Sequence, residues 1–403
     1  MSSKPTAHDS GLQRLLDEGY EVQVCQQHLL VHGVPYVASD RTVKRGTIVC
    51  KFIENAGVVL PPKPPEDTHQ VWWTGEYPCF ADGKLISQIE NEHERKELLK
   101  GCTIQHRFSN KPVGVANFAN HYDKVVHYVT LLQDQAKVID STVDARTSQL
   151  VMTEEGTSVF QYDDTASARA EIVMTSARLG LGKVAIIGIG GTGSYVLDQV
   201  AKTPVTEIHL FDGDEFLQHN AFRAPGAATR EQIAHRMPKV VYFKRMYGAM
   251  HRGIVDHPYF LDESNVAELI GFDFVFVCVD RGKARAMICR HLQAQGIPFV
   301  DVGMNLLLIS STLKLVGSCR ATLCTAQQSD HLAQFVPMDG EDDDVLYRQD
   351  IQVADMNALN AQLAVIRWKQ HCGFYQDDFH AHNLTFAVNS LSLARDVLAS
   401  PKT

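Results

Sequence analysis

Three kinds of chemistry-bearing residue recur between positions 188 and 280. Glycines cluster in "GIGGTGS" (Gly188, Gly190, Gly191, Gly193), and acids stand in "FDGDEF" (Asp212, Asp214). Asn220 and Arg223 lie in "QHNAFR", Lys239 in "RMPKVV" and Asp280 in "VFVCVDRGKAR". A glycine turn between a strand and a helix lets backbone N–H groups approach a phosphate or ribose, and the helix N-terminus adds partial positive charge. Asp212 ends a strand-like run twenty-four residues after Gly188, where a carboxylate accepts ribose hydroxyls. A GxGxxG string alone equally suits a dinucleotide, or a turn that merely packs a helix on a strand. The cations shift the balance. An arginine, a lysine and a strand-end acid suit a triphosphate, the cations neutralising phosphates and Asp280 holding Mg²⁺, whereas a nicotinamide cofactor has no use for that set. Taken singly, Asp212 can cap a turn, Arg223 and Lys239 can form surface ion pairs, and Asp280 can cap the helix that opens near Gly282.

The elements needed to position these residues are legible. From residue 166 onward strands alternate with helical stretches: Val184–Gly188, Glu207–Asp212, Phe274–Val279 and Phe299–Val302 read as strands of a parallel sheet. A β-rich hairpin over Leu306–Cys324 and a helix in "NALNAQLAVIRWKQHCG" follow, giving an α/β, Rossmann-like, mainly parallel sheet with an antiparallel extension. Residues 11–140 read as a smaller mixed α+β domain, with "LPPKPPED" breaking regular structure, "ENEHERKELL" (Glu90–Leu99) as a charged helix and His121–Ile139 as an amphipathic one. The polar segment 141–165 reads as a linker to an activating domain over 166–403.

A chain of 403 residues, 45% apolar and 21% charged, exceeds what one core usually organises, so two domains are expected. A net charge of −9 argues against general nucleic-acid affinity, and the apolar runs are too short to span a bilayer. The polar start, "MSSKPTAHDSG", and nine cysteines without a CxxC pair suit the cytoplasm and offer no four-thiolate zinc clamp.

The five motifs, in this order, resemble the ThiF/MoeB family, the adenylating fold shared with ubiquitin-activating enzymes. That family carries a GxGGxGS turn, a D-x-D-x-V/F strand end, an N-x-x-R, a P-K and a strand-end Asp; here they read "GIGGTGS", "DGDEF", "NAFR", "MPK" and "VDRGKAR". With "IPFVDVGM" and the helix "NALNAQLAVIRWK", the resemblance extends over roughly 166–400. It implies that Gly188, Gly190, Gly191 and Gly193 line an ATP site with Asp212 and Asp214. Asn220, Arg223 and Lys239 would contact phosphates, Asp280 would bind Mg²⁺, and Arg285 would support Asp280. Arg169 or Arg178 would supply the family's additional arginine. The implied reaction is attack by a carboxylate on the α-phosphate of ATP. The carboxylate would be the C-terminal glycine of a ubiquitin-like or sulfur-carrier protein, or alternatively one borne by a small molecule or a tRNA. A non-catalytic scaffold subunit is the further alternative.

The resemblance also implies a homodimer. Cys324, leading into the segment before "DGEDDD", is the candidate for a thioester, against its role as a small buried apolar residue. In the N-terminal domain, His69 and Cys79 would suit a nucleophilic pair if the fold joined them, although core packing explains Cys79 as well. That domain's expected role is binding the carrier or target, or accepting the acyl group.

Overall fold

The computed structural model describes residues 10–55, 58–64, 67–99, 102–149, 158–162, 164, 166–167, 172–338 and 351–397. The chain divides into two compact units, one of Met1–Ser158 with Tyr162–Val173 and one of Val159–Gln161 with Met174–Thr403.

In the first unit, among the described residues, a six-stranded antiparallel sheet runs through β1 (Glu21–Cys25), β2 (His28–Val37), β3 (Val43–Lys51), β4 (Val71–Thr74), β5 (Glu90–Leu99) and β6 (Cys102–Phe108). Their order is β1-β2-β3-β4-β6-β5. Helix α1 (Ser10–Asp17) and helix α2 (His121–Ile139) accompany it, and α2 is capped by Asn120, whose side chain accepts the Asp123 N–H. Val125, Tyr128, Val129 and Leu132 recur at helical spacing, so α2 buries one stripe in the same core as Trp73 and Phe108. The expected helix over Glu90–Leu99 is instead the edge strand β5, paired only with β6 and bulged at three places. An edge strand leaves a row of N–H and C=O groups unpaired, and most described side chains of β5 are exposed, so a run of charges that reads as helical can serve there to discourage pairing with other chains. His69 bonds the Ser109 hydroxyl, while Cys79 is fully buried and its thiol is pushed up by that burial.

The second unit is built on an eight-stranded sheet among the described residues. In chain order its elements are β7 (Lys183–Ile187), α3 (Gly191–Val200), β8 (Glu207–Phe211), α4 (Lys239–Tyr247), β9 (Ile254–His257), β10 (Phe274–Val277), α5 (Gly282–Gln295), β11 (Phe299–Ile309), β12 (Lys314–Cys324), α6 (Ala354–His371), β13 (Asn383–Ala387) and β14 (Ser392–Asp396). The order is β9-β8-β7-β10-β11-β12-β13-β14, the first five parallel and the rest antiparallel. This is the Rossmann-like α/β sheet with its antiparallel extension, preceded by a smaller unit. Alternate residues of β7 enter two cores on opposite faces: Val184 and Ile186 in one, Ala185 and Ile187 in the other. Burial on both faces explains why the strand is a continuous apolar run.

Among the described residues no helix is long and apolar enough to cross a membrane.

Candidate nucleotide site

Strand register places Ile187 opposite both Phe211 and Val277, so the glycine turn, Asp212 and the loop bearing Asp280 leave one carboxyl edge of the sheet. Ligands bind at such edges in open α/β folds. The four glycines are not equivalent. Gly188 has φ +87°, and a Cβ there would lie 2.7 Å from the Cys278 carbonyl oxygen. At Gly193 a Cβ would meet the Gly188 carbonyl oxygen at 1.9 Å, and at Gly191 it would meet Asn357 Nδ2 at 2.2 Å. These three permit close packing of strand, helix α3 and helix α6. Gly190 alone would aim a Cβ into open space, and it stands at the N-terminus of α3, which no side chain caps. The first-turn N–H groups of α3 thus open onto that space.

Asp212 is 6% exposed and ties this turn together. Its carboxylate accepts the Ile189 N–H at 2.8 Å and the Asp214 N–H at 2.9 Å. Lys239, also buried, lies 3.4 Å from Asp212 and donates to Asp214 Oδ2 at 2.7 Å, Asp214 being half exposed. Burial holds the Asp212 carboxyl above the ordinary carboxylate range, opposed by the charge of Lys239 and by the two backbone donors. Lys239 opens α4 directly after Pro238, which stands before the helix where no N–H is needed.

Asn220 and Arg223 sit on the short helical turn Gln218–Ala221 and the residues after it. Asn220 is buried and its Oδ1 accepts the Leu217 N–H, which leaves its amide N–H groups to donate elsewhere. Arg223 Nε is buried without a hydrogen-bond partner. His219, which sequence reasoning passed over, is exposed, and its imidazole is pushed below its ordinary value by partial desolvation and then by the charges of Arg223 and Lys239, so these three groups share one neighbourhood. Asn357 of α6 is fully buried; it receives the Thr192 hydroxyl at 3.1 Å and reaches toward the Arg223 carbonyl at 3.5 Å. One side chain thereby bridges the glycine helix and the Arg223 loop.

Asp280 lies exposed three residues beyond β10. Arg285, expected to support it, donates to the Val279 carbonyl and lies 3.2 Å from Asp301. Asp301 is wholly buried and also paired with Arg320. Arg285 therefore holds the backbone just before Asp280.

Residues 169–343 match the ThiF family, and residues 10–165 match a family described as a domain of unknown function, DUF6791. The C-terminal segment is a ThiF-family domain. It is similar to the tRNA threonylcarbamoyladenosine dehydratase of Haemophilus influenzae, 25% identical over 136 residues, covering 32% of this chain and 49% of that protein. The Escherichia coli K12 protein of the same name is 26% identical over 129 residues, covering 30% and 45%. The chain spans about half the length, or less, of these curated relatives. Among solved structures, E. coli MccB crystallised with ATP resembles 57% of this chain and 68% of its own, at TM-score 0.45 and 15% identity. A structure of PaaA resembles 70% of this chain and 93% of its own, at TM-score 0.46 and 14% identity.

Within the ThiF domain, Cys324 stands apart from the glycine edge. It is 1% exposed at the end of β12, and burial pushes its thiol up to about 12. His331 Nε2 lies 3.6 Å from the sulfur but 2.8 Å from the Leu323 carbonyl oxygen. A nitrogen that donates to a carbonyl carries its proton already, so it cannot take one from the thiol. Arg178 is exposed and bonds the Gly373 carbonyl. Arg169 and the "DGEDDD" run lie outside the described residues.

Proposed function

We propose that the ThiF domain adenylates a carboxylate using ATP and Mg²⁺. The observation that carries this reading is Arg223 Nε, buried without an acceptor beside Lys239 and His219. A buried donor left unmet costs about 1–3 kcal/mol, and a phosphate oxygen would relieve it. The residues present fit the nucleotide: open space over Gly190, an uncapped helix start, and a cation whose donor has no other partner. ATP, when bound, supplies an α-phosphate open to attack and pyrophosphate as leaving group.

Gly190 and the first N–H groups of α3 would receive phosphate oxygens, with Gly188, Gly191 and Gly193 holding the turn in shape. Asp212 would accept ribose hydroxyls, Asp214 would keep Lys239 in place, and Lys239, Arg223 and the Asn220 amide would offset the phosphate charge. Asp280 would hold Mg²⁺, which commonly needs only one or two protein carboxylates beside phosphate oxygens. An ionised carboxylate needs no base to attack, so alignment and charge stabilisation suffice. A thioester on Cys324 forms no part of this proposal, because the thiol is buried and protonated.

The C-terminal carboxylate of a ubiquitin-like or sulfur-carrier protein is the substrate we infer, with the first unit binding the carrier or target or accepting the acyl group, and the protein acting as a homodimer. A tRNA-borne carboxylate is the second reading, favoured by the two dehydratases matched in sequence. Keeping Arg223, Lys239 and Asp280 together argues against an inert scaffold. Exchange of labelled pyrophosphate into ATP is expected only when a cognate carboxylate is added, and Asp280→Ala should abolish it. Stimulation by a carrier protein, by tRNA or by neither separates the readings, and exchange that survives Asp280→Ala would sink the mechanism. Light scattering at several concentrations should return twice the monomer mass.

A further inference from the structure

We propose that the first unit carries a ligand site of its own, a cleft that binds the oxyanion group of a small molecule and takes up one proton as it does so. The cleft, of about 650 Å³, opens between β2, β5, β6 and the turn after β4, and its size is that of a small-molecule site. His93 of β5 and His106 of β6 stand opposite each other in the strand register, their Nδ1 atoms 2.8 Å apart. The other nitrogen of His93, Nε2, lies 2.8 Å from the Glu90 carboxylate. Residues 90 and 93 would face opposite sides of a regular strand; a bulge between Glu90 and Glu92 brings them to one side, and the next bulge, between His93 and Lys96, holds Arg95. His93, Arg95 and His106 all line the cleft. Two imidazoles and a carboxylate invite comparison with a metal site, yet among the described residues no three such side chains are placed to hold an ion.

The chain from Glu90 through His93 to His106 fixes where a proton can go. In the neutral pair one proton lies between the two Nδ1 atoms and the other points from His93 Nε2 to Glu90, which leaves His106 Nε2 as a bare acceptor. A third proton has only that nitrogen to occupy, whichever ring carries the charge, so protonating the pair creates a donor at the cleft wall. Burial and then the neighbouring His93 hold the His106 imidazole below its ordinary value, against the pull of Glu90, so His106 is neutral at neutral pH until an anion offsets that cost. The other polar atoms of the cleft are donors as well. Gln105 Oε1 accepts the Gly75 N–H at 2.7 Å, leaving its amide N–H groups, and the Tyr36 hydroxyl accepts the Glu76 N–H at 3.1 Å, leaving its own proton. Arg95 has no hydrogen bond or ion pair among the described residues. Glu76, the carboxylate on the wall, is matched by Lys44 at 2.6 Å. Tyr77 meets the His106 ring edge-on at 5.2 Å and spends its hydroxyl on the Ile86 carbonyl, and Arg107 turns to the other face, over Trp72. A wall of donors around one nitrogen that can gain a proton suits a carboxylate or phosphate and repels a cation.

Calorimetric titration of the full chain with sulfate and with benzoate tests this, since both keep their charge from about pH 6 to 8 while histidine titrates. At least one should bind, preference for sulfate marking a phosphate-like ligand and preference for benzoate a carboxylate. Affinity should rise by up to about tenfold per unit fall in pH, because one proton enters with each anion. Titration in buffers of different ionisation enthalpy should count that proton. His106→Gln keeps a donor amide but cannot charge, so its affinity should no longer depend on pH, and Arg95→Ala should weaken binding about ten- to a hundredfold. Unchanged affinity in Arg95→Ala, a pH slope that survives His106→Gln, or no binding of either anion by the wild type would overturn this inference. So would a loss in Arg223→Ala that Arg95→Ala does not share, which would place the anion in the ThiF domain.

Discussion

At the scale of single residues, the site depends on how a buried acid keeps its charge. Asp212 is held above the ordinary carboxylate range mainly by burial, with Lys239 working against that rise. A raised carboxyl favours folding while protonated, and that contribution is lost as pH rises through the folded value; Lys239 and the two N–H donors that face the carboxylate limit the rise. ATP affinity should therefore fall as pH drops through a value above 3.8, and Asp212→Asn should weaken binding at neutral pH and flatten that acid limb; titration across pH in both proteins checks this. Cys324 gives a second residue-scale expectation. With its thiol near 12, roughly 10⁻⁴ of it is thiolate at pH 8, so iodoacetamide should leave it unlabelled in the native protein and modify it on unfolding, read by peptide mass spectrometry. The charged and glycine positions were visible from the sequence because their types and order are unusual together. His106, His219 and Asp301 were not, since a lone histidine or acid reveals nothing until the fold supplies His93, Arg223 or Arg320 beside it.

At the scale of elements, the parallel strands were legible because burial on both faces leaves unbroken apolar runs such as Val184–Ile187. Glu90–Leu99 was misread for the opposite reason: an edge strand buries little, so its composition follows solvent and not the pleat. The glycine turn sharpens from one motif into two roles, and a pair of alanine substitutions separates them. Gly193→Ala places a methyl 1.9 Å from a backbone oxygen and should cost on the order of 1–3 kcal/mol in urea denaturation. Gly190→Ala meets no protein atom, although ψ −140° suits alanine less than glycine, and should cost about 1 kcal/mol or less, yet lose ATP affinity because the methyl enters the phosphate space. Equal stability in both variants would mean the turn is looser than its packing indicates. Asn357→Ala should fall between them, loosening α3 against the Arg223 loop and weakening ATP more than it weakens the fold.

At the scale of the whole molecule, the two units have separate cores, one around Trp73, Tyr128 and Phe108, the other around Trp368, Phe276 and Phe243. A ligand stabilises only what unfolds with it, by RT ln(1 + [L]/Kd), or about 2.7 kcal/mol at a hundredfold excess over Kd. Under native conditions, amides that exchange only through unfolding of the second unit should then slow about a hundredfold with ATP and Mg²⁺ present. Those amides belong to strands such as Lys183–Ile187 and Phe274–Val277, while amides of His28–Val37 in the first unit should keep their rates. Peptide-resolved hydrogen exchange reads both sets in one experiment. Equal slowing in the two sheets would mean that they unfold as one cooperative body, and slowing confined to His28–Val37 would move the nucleotide out of the ThiF domain altogether.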